Sequence, residues 1–336
     1  MRSSLAFVPD VDDSFAAAIE DRLERVEERL REVVSTSDTM ARWTSRHLMD
    51  AGGKRVRPLL ALLAGSFGDL ERPEVVDAAV LVELTHLATL YHDDVMDDAS
   101  TRRGARTAHE VWGNSVAILT GDFLFARASA LSSSLGPEAV LIHARTFERL
   151  CMGQLHETVG VGADEDPFEH YLGVLSDKTA SLIASAGRLG ALQAGCPASI
   201  ADTLARYGEK VGVAFQLADD VLDLRSDPAS SGKTPGTDLR EGVPTMPTLL
   251  VRRRVAAGEA GADAHRLVEL LDADLTDDAP LEAALDLLRR DPAVDQTELM
   301  AQRYADEAVA ILHELPAGSV RDALEHFTQS LVRRSV

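Results

Sequence analysis

Only two cysteines occur in the 336 residues, Cys151 and Cys196, and they match neither CxxC nor zinc spacing. A disulfide scaffold and a thiolate metal site are therefore not expected, and both are read as small buried apolar residues. No run of about 18 or more apolar residues is present, which excludes an ordinary membrane-spanning helix. Nor does an apolar segment follow a basic start near the first residue, so a cytoplasmic protein is expected. A formal net charge of −21 argues against a nucleic-acid partner, because such partners are bound by basic stripes. Lysine is scarce as well: of 34 basic residues only Lys54, Lys178, Lys210 and Lys233 are Lys. Three of the four sit in the motif-like segments "GGKRVRP", "SDKTA" and "SGKTPG". There a compact point charge suited to phosphate would be useful.

What is abundant is helical pattern. Apolar residues make up 45% and charged residues 26%, an ordinary globular balance. Apolar spacing of three and four recurs in "FAAAIEDRLERVEERLREVV", "VVDAAVLVELTHLATLY" and "IADTLARYGEKVGVAFQLADDVLDL", built mostly from good helix formers. No alternating strand with a hairpin signal stands out. The expectation is an all-α chain of ten or more helices with short connections. Residues 21–34 read as a helix whose charged face is solvated or packs against a partner. The most loop-like stretch, Ser226 to Pro247, is rich in Gly, Pro, Ser and Asp. A loop of that length is usually functional or disordered, and its Lys and Asp favour a ligand loop or lid.

The stretch "LYHDDVMDDASTRRG" places Asp93, Asp94 and Asp97 at the end of an apolar helical run and Arg102 and Arg103 just beyond. On a helix Asp93 and Asp97 share one face, one turn apart, where two carboxylates repel unless cations are present. Mg²⁺ suits that place, since it joins one or two carboxylates to water and phosphate oxygens. A lone cluster of this kind is more often a solvated helix end. Here "DDVMD" at 93–97 recurs as "DDVLD" at 219–223, again behind a long apolar stretch, which favours a pair of sites. His86, Thr85, Thr89 and Val82 fall on the face of Asp93, and small polar residues there suggest a cavity wall. Gln216 lies three before Asp219 and seven before Asp223.

In order, "GGKRVRP", "HLATLYHDDVMD" with "STRRG", "DKTA", "FQLADDVLDL" and "GKTPGTDL" resemble the trans-polyprenyl diphosphate synthase family over about residues 50 to 250. The resemblance implies an all-α, single-domain helical bundle over residues 1–336 around a deep central cavity, usually as a homodimer. It implies Mg²⁺ ions, three with the allylic diphosphate bound, held between Asp93, Asp94, Asp97 and Asp219, Asp220, Asp223, with Asp93, Asp97 and Asp219 as direct ligands. Isopentenyl diphosphate would be gripped by Lys54, Arg57, His86 and Arg103. Arg102, Lys178 and Lys233 would hold the allylic diphosphate, with Thr179 and Gln216 close to the reacting carbons. Many members carry a Lys where this chain has Val243, which removes one expected diphosphate contact.

The implied reaction is the head-to-tail condensation of isopentenyl diphosphate with an allylic diphosphate. Large aromatic residues just before the first aspartate motif shorten the product in the family. Ala88, Thr89 and Thr85 are not bulky, and Tyr91 stands only two before the motif. A medium- or long-chain product is therefore expected, with a geranylgeranyl-type product or a subunit of a heteromeric synthase as alternatives. A terpene cyclase would need a different second metal segment and no second-substrate site. A non-catalytic subunit would show eroded aspartate motifs, and a His-Asp phosphohydrolase built on His92-Asp93 would need further His ligands. The lipid product implies transient membrane contact at release, although no basic amphipathic anchor is seen.

Overall fold

The computed structural model describes residues 13–225 and 235–332. In chain order the helices are α1 (Asp13–Val33), α2 (Thr39–Asp50), α3 (Val56–Gly65) and α4 (Pro73–Met96). A two-stranded hairpin, β1 (Thr101–Arg102) and β2 (Ala105–Arg106), separates these from α5 (Ala108–Trp112), α6 (Asn114–Ser134), α7 (Pro137–Val159) and α8 (Pro167–Leu175). A π-helical turn (Ser176–Ala180) leads into α9 (Ser181–Gln193) and α10 (Ala198–Arg225). The remainder is α11 (Thr237–Arg240), α12 (Met246–Ala256), α13 (Ala262–Leu271), α14 (Asp278–Arg289), α15 (Pro292–Leu312) and α16 (Ser319–Val332). The all-α expectation holds, with the hairpin as its one exception among the described residues. None of the described helices is long and apolar enough to cross a membrane.

Two compact units emerge, each assembled from three separate stretches of chain: residues 1–150, 181–208 and 311–327, and residues 151–180, 209–310 and 328–336. The first is centred on α4, whose run from Ala78 to Thr85 is buried on every side. Helices α3, α6 and α9 pack against it. Ile19, Leu23, Val26 and Leu30 of α1 form a stripe at helical spacing and are all buried, and α1 packs on α3 and α4. The charged side of α1 over residues 21–34 is largely exposed, as expected, while its apolar side belongs to the core of this chain.

In the second unit the apolar face of α10, with Val213, Ala214, Leu217, Val221 and Leu224, joins buried residues of α12 to α15 in one cluster. Local chemistry sets several of the helix starts. Asp166 accepts from the N–H groups of Phe168 and Glu169 ahead of Pro167, and Thr245 and Thr248 form a capping box in front of α12. That box also corrects the expected loop. Thr237–Arg240 is helical, and Met246 and Pro247 lie in the first turn of α12, because Pro is well tolerated where no intrahelical N–H bond is needed.

Candidate active site

The first aspartate motif lies at the end of α4. Asp97 is the C-cap, and its N–H still donates to the Asp93 carbonyl at 2.8 Å, so the expected one-turn spacing is kept. The three carboxylates differ in surroundings: Asp97 is exposed, Asp93 half-buried and Asp94 fully buried. Arg102 donates from Nε to Asp94 Oδ1 at 2.7 Å, while Asp94 Oδ2 has no hydrogen-bond partner. Burial raises the Asp94 pKa, and Arg102 opposes that shift.

Beyond the motif, Arg102 and Arg103 are carried by the hairpin, where Arg102 pairs with Ala105. Both residues of its two-residue loop, Arg103 and Gly104, have positive φ, 54° and 76°, which matches the twist of a tight hairpin. Arg103 turns back on the "GGKRVRP" segment. Its Nη1 donates to the carbonyls of Leu48, at 3.1 Å, and Gly52. A Cβ on Gly53, whose φ is 153°, would lie 2.9 Å from its Cζ, so the guanidinium would have to shift to admit one. The same cluster contains Arg57 and His86. Burial and the surrounding positive charge of Arg57, Arg103, Arg102 and Arg55 hold the His86 pKa well below the usual histidine range. Burial also lowers Arg57 and Arg103, each of which feels the Glu83 carboxylate as a counter-charge. The structure thus brings Arg57, His86 and Arg103 together, with exposed Lys54 just ahead of the helix that carries Arg57.

In the second unit, Asp219 and Asp223 of α10 are half-buried and Asp220 is buried. The Tyr171 hydroxyl donates to Asp220 Oδ2 at 2.6 Å and the Met246 N–H to the same oxygen at 3.1 Å. Burial nevertheless pushes the Asp220 carboxyl up to about 8. A neighbouring cation would bring it down again.

Lys178 and Thr179 occupy the π-helical turn, a rare element that recurs at functional sites. Thr179 Oγ1 donates to Gln216 Oε1 at 3.3 Å, so the two residues expected near the reacting carbons do meet. Lys178 pairs with Glu157 of α7. Gly153 lets α7 come close: a Cβ there would lie 2.6 Å from the Lys178 backbone N.

Some expectations are corrected or lie outside the described residues. Lys233 and residues 226–234 of the expected lid are outside them. Two polar groups lie under Asp93 on α4. Thr85 is fully buried and donates to the Leu81 carbonyl, and Thr89 donates to the His86 carbonyl, so both hydroxyls are satisfied within α4. His92 packs on Gly121 and lies 3.1 Å from the Ile118 carbonyl, which leaves a His-Asp phosphohydrolase reading without its first ligand. Sequence reasoning missed Glu27, Glu83, Gly153, Glu157 and Tyr171. Of these only Gly153 left a local signal, a glycine inside a helical pattern.

The aspartate donor set is all oxygen, which suits a hard divalent cation. Among the described residues, no three or more His, Cys, Asp or Glu side chains are grouped so as to hold a metal. The carboxylates would therefore share an ion with water and ligand oxygens, as Mg²⁺ favours.

Comparison with known proteins agrees with this geometry. A family model described as polyprenyl synthetase matches residues 39–288. The nonaprenyl diphosphate synthase of Mycobacterium tuberculosis is 44% identical over 98% of this chain and 99% of that protein. Among solved structures, the geranylgeranyl pyrophosphate synthase of Corynebacterium glutamicum, complexed with calcium and isoprenyl diphosphate, has a TM-score of 0.84 at 44% identity, over 96% of this chain and 98% of that one. A decaprenyl diphosphate synthase from Rhodobacter capsulatus has a TM-score of 0.85 at 32% identity, over 96% and 99%. With its aspartate motifs, hairpin arginines and π-turn lysine in one all-α chain, the protein belongs to the polyprenyl synthetase family of prenyltransferases.

Proposed function

We propose that the chain condenses isopentenyl diphosphate with an allylic diphosphate, 1′ to 4, and repeats the step to give a medium- or long-chain all-trans polyprenyl diphosphate. The observation that carries this is a basic cluster of Arg57, His86 and Arg103 in the first unit, beside an aspartate motif whose Arg102 already engages Asp94. A terpene cyclase has no use for a second diphosphate site of that kind.

Lys54, Arg57, His86 and Arg103 are assigned to isopentenyl diphosphate. Arg102, Lys178 and Lys233 are assigned to the allylic diphosphate. The C1–O bond of the allylic substrate breaks, the isopentenyl alkene attacks C1, and the proton released is taken by the departing diphosphate. Lys178 and Arg102 stabilise negative charge as it develops on the leaving group. Thr179 and Gln216, already hydrogen-bonded to each other, orient the reacting carbons. Mg²⁺, three ions in the full complex, would be held by Asp93, Asp97 and Asp219 with Asp94, Asp220 and Asp223, and supplies charge neutralisation at the diphosphate.

Identity alone does not choose the product, since relatives named for geranylgeranyl and nonaprenyl products are equally similar. Small residues before Asp93, above all Ala88, favour the longer one. We further propose one functional domain over 1–336, supported by the interleaving of both units along the chain. A cytoplasmic homodimer fits apolar side chains exposed on α6 and α7, among them Leu119 and Leu141. Product release involves transient contact with a membrane. The test is incubation of the purified chain with Mg²⁺, isopentenyl diphosphate and allylic starters of several lengths, followed by mass spectrometry. Chain extension supports the proposal. A cyclic hydrocarbon, or turnover only after a second protein is added, refutes it.

A further inference from the structure

Arg55 lies inside "GGKRVRP", between Lys54 and Arg57, yet it faces inward and is 7% exposed. It adopts φ 47° and ψ 37°, a left-handed conformation that non-glycine residues keep only where their surroundings hold it. Those surroundings are specific. Nη1 donates to Glu83 Oε1 of α4 at 2.7 Å, Nε and Nη2 grip both carboxylate oxygens of Glu27 on α1, and Nη2 also reaches the Met49 carbonyl at 3.2 Å. Such a fork to two carboxylates fixes direction as well as charge. The backbone of Arg55 also starts α3: its carbonyl accepts from the Leu59 N–H at 3.0 Å, so Arg57 falls in the first turn. Glu83 has a second role, as the counter-charge felt by both Arg57 and Arg103.

We propose that Arg55, clamped by Glu27 and Glu83, is the positioning residue of the isopentenyl diphosphate site, setting the turn that aims Lys54 and Arg57 at one diphosphate. The N-terminal helix α1 is thereby part of the substrate-binding apparatus through Glu27. This rests on the assignment of Lys54, Arg57, His86 and Arg103 to isopentenyl diphosphate.

The test uses steady-state kinetics on the full chain, varying each diphosphate with the other saturating, for Glu27→Gln and Arg55→Lys, with Arg57→Ala as the control for direct binding. The KM for isopentenyl diphosphate is expected to rise about tenfold in each positioning variant, the loss of about one charge-assisted hydrogen bond. The allylic KM and kcat move less than about threefold, because only the aim of one loop changes. The double variant should raise the KM by less than the product of the single effects, since both act through one contact. An isopentenyl KM within about twofold of the parent in both variants, or a matched rise in both KM values, overturns the inference. Should Arg55→Lys fail to fold, Glu27→Gln decides alone, as its removal leaves Arg55 paired with Glu83. Should Arg57→Ala leave the isopentenyl KM unchanged, the substrate assignment itself falls and this inference with it.

Discussion

Replacing Gly153 by alanine tests whether the π-helical turn carries chemistry or only shape. A Cβ at this position would meet the Lys178 backbone N at 2.6 Å and the Asp177 carbonyl carbon at 3.0 Å, whereas ordinary contact begins at 3.4 Å. Both atoms are backbone, so no flexible side chain can swing away. Relief of the closer contact requires a movement of 3.4 − 2.6 = 0.8 Å between α7 and the turn. Overpacking of this kind costs about 1–3 kcal/mol. The gain in helix propensity from Gly to Ala offsets about 1 kcal/mol of it. Net destabilisation is thus about 0–2 kcal/mol, too little to unfold an ordinary domain. Catalysis is more sensitive: a displacement near 1 Å of a positioning group lowers rates by about 10²-fold. Gly153→Ala is therefore expected to keep the circular dichroism spectrum and most of the thermal stability while kcat for chain extension falls by about one to two orders of magnitude. Thermal melts with single-turnover extension assays measure both quantities. A folded Gly153→Ala variant with kcat within about twofold of the parent would refute the role given to Lys178 and Thr179.

Ala88→Phe is expected to shorten the product, read by mass spectrometry. Because Ala88 is fully buried, the ring also lowers stability, by about 1–3 kcal/mol, so unchanged chain length in folded protein counts against a role of Ala88 in product length. Chelation of divalent metal with EDTA should abolish extension and Mg²⁺ should restore it; turnover that survives chelation contradicts the role of the aspartate motifs. His86 sets a pH dependence. Its pKa is depressed in the fold, so it binds fewer protons there than in the unfolded chain, and stability present above 6.5 is lost as pH falls below it. The loss reaches about 1.4 kcal/mol per pH unit down to the folded pKa. His86→Gln should flatten that part of the urea-derived stability curve, and an identical slope in both proteins would contradict the burial of a neutral imidazole.

Much was legible from residue order because helical periodicity is local. The stripe Ile19, Leu23, Val26, Leu30, the one-turn spacing of Asp93 and Asp97, and the position of Gln216 before Asp219 all follow from 3.6 residues per turn. Errors arose where local signals had two solutions. The apolar stripe of α1 is visible in the sequence, but that α3 and α4 cover it is not. Pro247 looked like a loop marker and proved to be in the first turn of a helix, since Pro serves both. The hydroxyls of Thr85 and Thr89 bond carbonyls of their own helix, a choice that composition does not reveal.

By itself, then, the order of residues determined the all-α class and the one-turn spacing within each aspartate motif, because both rest on contacts no more than a turn or two away along the chain. Only the tertiary structure decided that Arg55 is held by Glu27 and Glu83, each 28 residues distant, that Tyr171 reaches Asp220 across 49, and that Thr179 meets Gln216 across 37. Such pairings depend on how helices pack, and packing is set by the whole core and not by any one segment. The same packing made Asp94 a buried partner of Arg102 while leaving Asp97, three residues on, exposed.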